Sequence, residues 1–203
     1  QFDTTGGAWT EAFQVVSFTN LAQPVHHPSD DIAYFFTDNL VHKLNGATWT
    51  GSVLTLPSDS KITCACAFGN YLAIGTAPLG AQGGRSVVYL WDRDSSLATL
   101  TERVDFGDGT LRHLANLENK LIGLVDSYMT NAASLRRGKL LIKQASGQFG
   151  ITLNELITDF TMTADDFPQV FFVGENRYYF PAKIILNGDN RLGIWVVDSV
   201  GRA

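Results

Sequence analysis

Short apolar runs alternate with polar corners along most of the chain. The stretch "AFGNYLAIGT" (67–76) shows the unit: an apolar run, a Gly-Asn corner, a second apolar run. "NLENKLIGLV" (116–125) and "FVGENRYYFP" (172–181) repeat it. The corners fall at Asn70, Asn119 and Asn176, about fifty residues apart, the period of propellers and arrays. "PSDDIAYFFT" (28–37) is a weaker fourth copy, with Asp30 or Asp31 at the corner. Asn and Asp tolerate left-handed backbone and bond back to their own chain, which suits a tight hairpin.

Each corner predicts a pair of strands. The first strands read "KITCACAF" (61–68), "LRHLANL" (111–117) and "PQVFFV" (168–173). The second strands read "IAYFFT" (32–37), "YLAIGTA" (71–77), "KLIGLVD" (120–126) and "RYYFPAKIIL" (177–186). A third strand follows at "LVHKLNG" (40–46), "SVVYLWD" (86–92), "KLLIKQA" (139–145) and "RLGIWVVD" (191–198). A fourth is read at "LTERVDF" (100–106), "LNELITD" (153–159) and "WTEAFQV" (9–15), which share a glutamate at Glu102, Glu155 and Glu11. "SVLTLPS" (52–58) is the remaining copy, without that glutamate. Their β-branched and aromatic content favours strand over helix.

Four strands per unit at this period predict an all-β protein, a β-propeller built of four-stranded antiparallel blades. The blades are read at 16–58, 61–107, 111–159 and 167–203, plus the strand 9–15, in a single domain or propeller segment spanning 1–203. No long amphipathic helix is expected. The strand at 9–15 closes the last blade against 193–198 if the ring closes with four blades, which removes two unpaired edges. The alternative is an arc of a larger ring.

Composition fits a packed core: 45% hydrophobic and 17% charged residues. The net charge of −5 argues against a nucleic-acid partner, which needs clustered Lys and Arg. The one basic doublet, Arg136-Arg137, is expected in a loop. No segment approaches the length of a membrane span, and the first twenty residues lack the basic start of a signal peptide.

The residues able to carry chemistry read as structural. Cys64 and Cys66 alternate in one strand, on the same face as Ile62 and Phe68, as buried reduced thiols. His26 and His27 precede Pro28 and read as exposed loop residues; His42 sits on a third strand and His113 on a first strand. "DFGDGT" (105–110) offers Asp105 and Asp108, but lacks the spacing and terminal glutamate of a calcium loop, so its glycines read as a turn between units. Asp165-Asp166 read as a loop between units, and "NGDNR" (187–191) as a hairpin turn. Glu11, Glu102 and Glu155 repeat at an outer strand, a structural position. The aromatic runs Tyr34-Phe35-Phe36 and Tyr178-Tyr179-Phe180 suit sheets buried on both faces. No catalytic, cofactor-binding or metal-binding residue is assigned, and the chain is not expected to be an enzyme.

The stretch 62–100, from "ITCACAFGNYLAIGT" to "SVVYLWDRDSSLATL", resembles one WD40-type blade, with Trp91-Asp92 closing its third strand. The Gly-His pair of that family is missing, and the other third strands end in Asn45, Gln144 or Asp198. Trp195 repeats the tryptophan without an Asp directly after it. This implies WD40-like geometry without membership of that family.

Across more of the chain, "GNYLAIGTAPLG", "VYLWDRDSS", "NKLIGLVDSY" and "YYFPAKIILNGDNRLGIWVVD" resemble blades of propeller domains in structural proteins of tailed bacteriophages. That resemblance implies a non-catalytic structural or interaction module of a phage-like virion, tail-associated, in a symmetric assembly. Its loops would meet other virion proteins or a host-surface glycan. The competing expectations are a glycan-binding or glycan-cleaving propeller and an intracellular WD40-like scaffold.

Overall fold

The computed structural model describes residues 21–78, 84–96, 103–128, 135–146, 150–154, 160–163, 171–186 and 189–198. Sixteen strands and no helix occur among these described residues. The first sheet is the meander β1 (Leu21–His27), β2 (Ile32–Thr37), β3 (Leu40–Asn45) and β4 (Thr48–Thr55). The second is β5 (Ser60–Phe68), β6 (Tyr71–Pro78), β7 (Arg85–Trp91) and β8 (Arg103–Asp108). The third unit begins with β9 (Thr110–Leu117), β10 (Lys120–Tyr128), β11 (Leu135–Ser146) and β12 (Gly150–Asn154). The fourth holds β14 (Phe172–Gly174), β15 (Arg177–Leu186) and β16 (Asp189–Asp198).

The third and fourth units are not separate sheets. β13 (Phe160–Thr163) pairs with the start of β11 and touches β15 at Thr161 and Ile185, joining both units into one eight-stranded sheet. No apolar pattern singled out 160–163. Arg136-Arg137, expected in a loop, lie in β11, because that strand starts at Leu135 to meet β13. The fourth strands also shift from their expected bounds: β8 starts at Arg103 and β12 ends at Asn154. Glu11, Glu102, Glu155, Asp165-Asp166 and the strand 9–15 lie outside the described residues.

The recurring corners are two-residue hairpins. Phe68 pairs with Tyr71, Leu117 with Lys120 and Gly174 with Arg177. Glu118 and Asn119 take φ of 50° and 61°, and Glu175 and Asn176 take 51° and 58°. Paired positive φ values match the right-handed twist of the strands they join. In the first unit His27 pairs with Ile32, so the corner is longer, and Asp31 alone takes positive φ.

A second device recurs in the first strands. Five pairs beyond the corner, β5 bulges at Thr63, between Ile62 and Cys64. β9 bulges at Arg112, again after five pairs. β1 bulges at Gln23 and Pro24, where an unpaired position tolerates proline's missing N–H. Each extra residue flips the alternation. Ile62 and Ala65 therefore pack toward the first sheet, while Cys64, Cys66 and Phe68 pack toward the third unit. The expectation that Ile62 and Cys64 share a face fails for this reason.

The core lies between units, in three layers. Tyr34, Phe36, Val41 and Leu54 of the first sheet meet Ile62, Leu72, Ile74, Tyr89 and Trp91 of the second. Phe68, Val88, Leu90 and Phe106 meet Leu111, Leu114, Leu121 and Val125. Leu117, Ile122 and Leu124 meet Tyr178, Phe180 and Val197. The closest approaches among the first three units are made by first strands, β1 on β5 and β5 on β9, whereas the third and fourth units meet through β13 and β15.

Candidate functional site

Polar side chains gather at the seams between these units. The richest cluster joins the β1–β2 corner to the segment after β7. His27 ends β1, so it is not the exposed loop residue its sequence context suggested; it is fully buried. Its Nε2–H donates to the Tyr71 carbonyl at 3.0 Å. Its Nδ1 accepts from the Ser29 N–H at 3.3 Å and from Arg93 Nη1 at 3.1 Å. Two donors at Nδ1 define the tautomer. His26, on the opposite side of the strand, is exposed and pairs with Asp31 at 2.7 Å.

Arg93 also bonds Asp30 Oδ2 at 2.5 Å, and the Tyr34 hydroxyl donates to the same oxygen at 2.9 Å. Burial by itself would raise the Asp30 carboxyl. The bonds from Tyr34 and the Ile32 N–H, with the Arg93 charge, bring it below the usual range. Burial and the adjacent carboxylate push the Tyr34 hydroxyl upward, keeping it a donor. Arg93 Nε is buried with no partner among the described residues.

Trp91-Asp92 has two separable tasks. The Trp91 ring fills the seam, edge-on to Tyr34 at 5.9 Å, and its Nε1–H donates to the Ser95 carbonyl. Asp92 Oδ1 accepts from the N–H groups of Ser95 and Asp94 at 2.7 and 3.0 Å. The Ser95 bond is the main reason the Asp92 carboxyl lies below its ordinary range.

The other histidines are also held in the scaffold. Burial lowers His42; its Nδ1 accepts from the Ser52 N–H, its Nε2 meets the Thr37 hydroxyl, and its ring stacks on Trp49. His113 stacks on Phe171 at 4.0 Å, and its Nδ1 lies 2.7 Å from the Tyr178 hydroxyl. Burial takes His113 down to about 4 and raises Tyr178, so the phenol donates to a neutral imidazole.

The remaining candidates separate in the same way. Asp105 Oδ1 accepts from the Gly107 N–H and its other oxygen pairs with Arg85 at 2.6 Å. Gly107 and Gly109 take φ of 84° and 124° where the chain passes from the second sheet to the third. Burial raises both thiols, Cys64 to about 12. Among the described residues no three His, Cys, Asp or Glu side chains are grouped to hold a metal, and no helix is long and apolar enough to cross a membrane. The buried seam at Asp30 and Arg93 was missed in the sequence; its only trace was an acidic corner and a distant arginine.

These features define an all-β protein of stacked antiparallel meanders tied by polar seams. No family model matches the chain, and no curated protein matches it in sequence. A solved structure of a protein of unknown function from Bacteroides caccae is similar over 89% of this chain and 78% of its own. Its identity is 8% and its TM-score 0.41, a likeness too slight to carry an argument.

Proposed function

We propose that the chain is an arc of β-propeller blades serving as a non-catalytic interaction module of a phage-like virion, associated with its tail. One observation carries the propeller reading. The first three meanders approach one another most closely at their first strands and stack face on face, as blades fanning from an axis do. The histidines and the Asp30 carboxylate of the seams point the same way. They spend their hydrogen bonds on neighbouring strands, so the scaffold presents surfaces and short hairpins rather than reactive groups.

The virion assignment rests on the resemblance of 69–80, 88–96, 119–128 and 178–198 to tail-protein blades. Mass spectrometry of purified particles is its test, with the chain expected at a fixed copy number per particle. Absence from intact particles, with abundance in host cytoplasm, would favour an intracellular scaffold. Turnover of a polysaccharide, abolished by replacing one carboxylate, would overturn the non-catalytic reading.

A further inference from the structure

The fourth unit has one covered face and one open face. Pairing registers make Tyr178 and Phe180 the counterparts of Leu72 and Ile74, which pack on the preceding unit. The same registers make Phe172 and Tyr179 the counterparts of Cys66 and Ala73, and of Ala115 and Ile122. On β16, Val196 and Ile194 correspond to Leu90 and Val88. In the second and third units those positions pack against the next unit.

In the fourth unit no unit of the described residues follows to cover this face: Leu192 is 83% exposed, Ile194 71% and Phe172 57%, with Tyr179 and Val196 half-buried beside them. Phe172 lies flat on Tyr179, with ring centres 4.4 Å apart, and so presents a broad apolar surface. The face thus continues the series of established interfaces by one unfilled place.

We infer that this face docks onto the same face of a second copy, forming a two-fold dimer. The exposed large apolar side chains of the described residues all lie in the fourth unit: Phe172, Val173, Leu192 and Ile194. Among the described residues a second copy therefore offers an exposed apolar mate only through this same region, which makes the contact isologous and closed. The outer face of the first sheet is a poorer mate, because Phe35 and Trp49 there are half-buried and packed edge-to-face. The rim carries both signs, with Arg177 directly across from Asp198, so like charges do not dominate the approach. Two twisted sheets meeting face to face bury such side chains as a sandwich does.

Sedimentation velocity and light scattering on the full chain test this. The expected result is a reversible dimer whose Kd rises at least about tenfold in Ile194→Asp and in Leu192→Lys. Both sites are exposed, so melting of the isolated monomer should be unchanged. Ile194→Cys should form a disulfide between copies on mild oxidation, in the dimer only. A monomer at every attainable concentration with freely alkylated Ile194→Cys overturns the inference. So does a monomer in which that thiol is protected, meaning the chain covers its own face. Open-ended polymers overturn it as well. Each of these failures leaves the virion assignment intact, because particle composition is read separately.

Discussion

His113 couples stability to pH through a single buried ring. An exposed imidazole titrates near 6.5, and burial brings this one to about 4. The unfolded chain therefore takes up the proton first as pH falls. The contribution of the neutral ring is complete above pH 6.5 and is lost as pH drops from about 6.5 to about 4, by up to about 3 kcal/mol. Urea unfolding at pH 7 and pH 4.5 should show this slope, and His113→Phe should reduce it. Gly123 is a second sensitive position. A Cβ there would come within 2.5 Å of the Phe106 ring and 2.8 Å of Leu111. Gly123→Ala should cost about 1–3 kcal/mol, the usual penalty of overpacking, read as a lower denaturation midpoint.

At the scale of the element, the hairpins leave room for improvement. Glu118 holds φ of 50° beside Asn119 at 61°, and left-handed backbone costs a residue with a Cβ about 1–2 kcal/mol. The double substitution Glu118→Asn, Asn119→Gly supplies the pair such turns prefer and should raise stability by about 1 kcal/mol, measured by thermal melting. The crossing between the second and third units works the opposite way. Gly109 has φ of 124°, and a Cβ would sit 2.5 Å from the Asp126 carbonyl oxygen. The Ser86 hydroxyl fastens the same crossing, donating to the Gly109 carbonyl at 2.6 Å and accepting from the Leu111 N–H at 2.8 Å. Gly109→Ala should therefore destabilise where a helix alanine would stabilise.

For the whole molecule, stability depends on the seams, since each unit alone leaves a face uncovered. Asp30 and Arg93 are partly buried partners from different units. Arg93→Met keeps the aliphatic contact but leaves Asp30 with Tyr34 and the Ile32 N–H, and should cost about 1–2 kcal/mol, as losing a charge-assisted hydrogen bond in a partly buried site does. Adding Asp30→Asn should recover part of that loss, because the uncompensated charge disappears. A double-mutant cycle by chemical denaturation reads the coupling. A loss in the double variant equal to the sum of the two single losses would show the pair is not coupled.

The sequence by itself determined most of the strands and their order. Alternating apolar runs and Asn corners are local signals, and 32–37 and 177–186 appear as strands with the bounds their residues suggest. β1 was not read as a strand, since Pro24 and two histidines dilute its pattern. What only the tertiary structure decided was which face each residue uses. A bulge inserts one residue and reverses every side chain beyond it, and nothing in "KITCACAF" marks Thr63 as the extra one. The partnership of Asp30 with Arg93, 63 positions away, was equally illegible, because it depends on two sheets stacking. The open face of the fourth unit was hidden for the same reason: Leu192 and Ile194 match buried positions in pattern, and only packing shows that no neighbour arrives among the described residues.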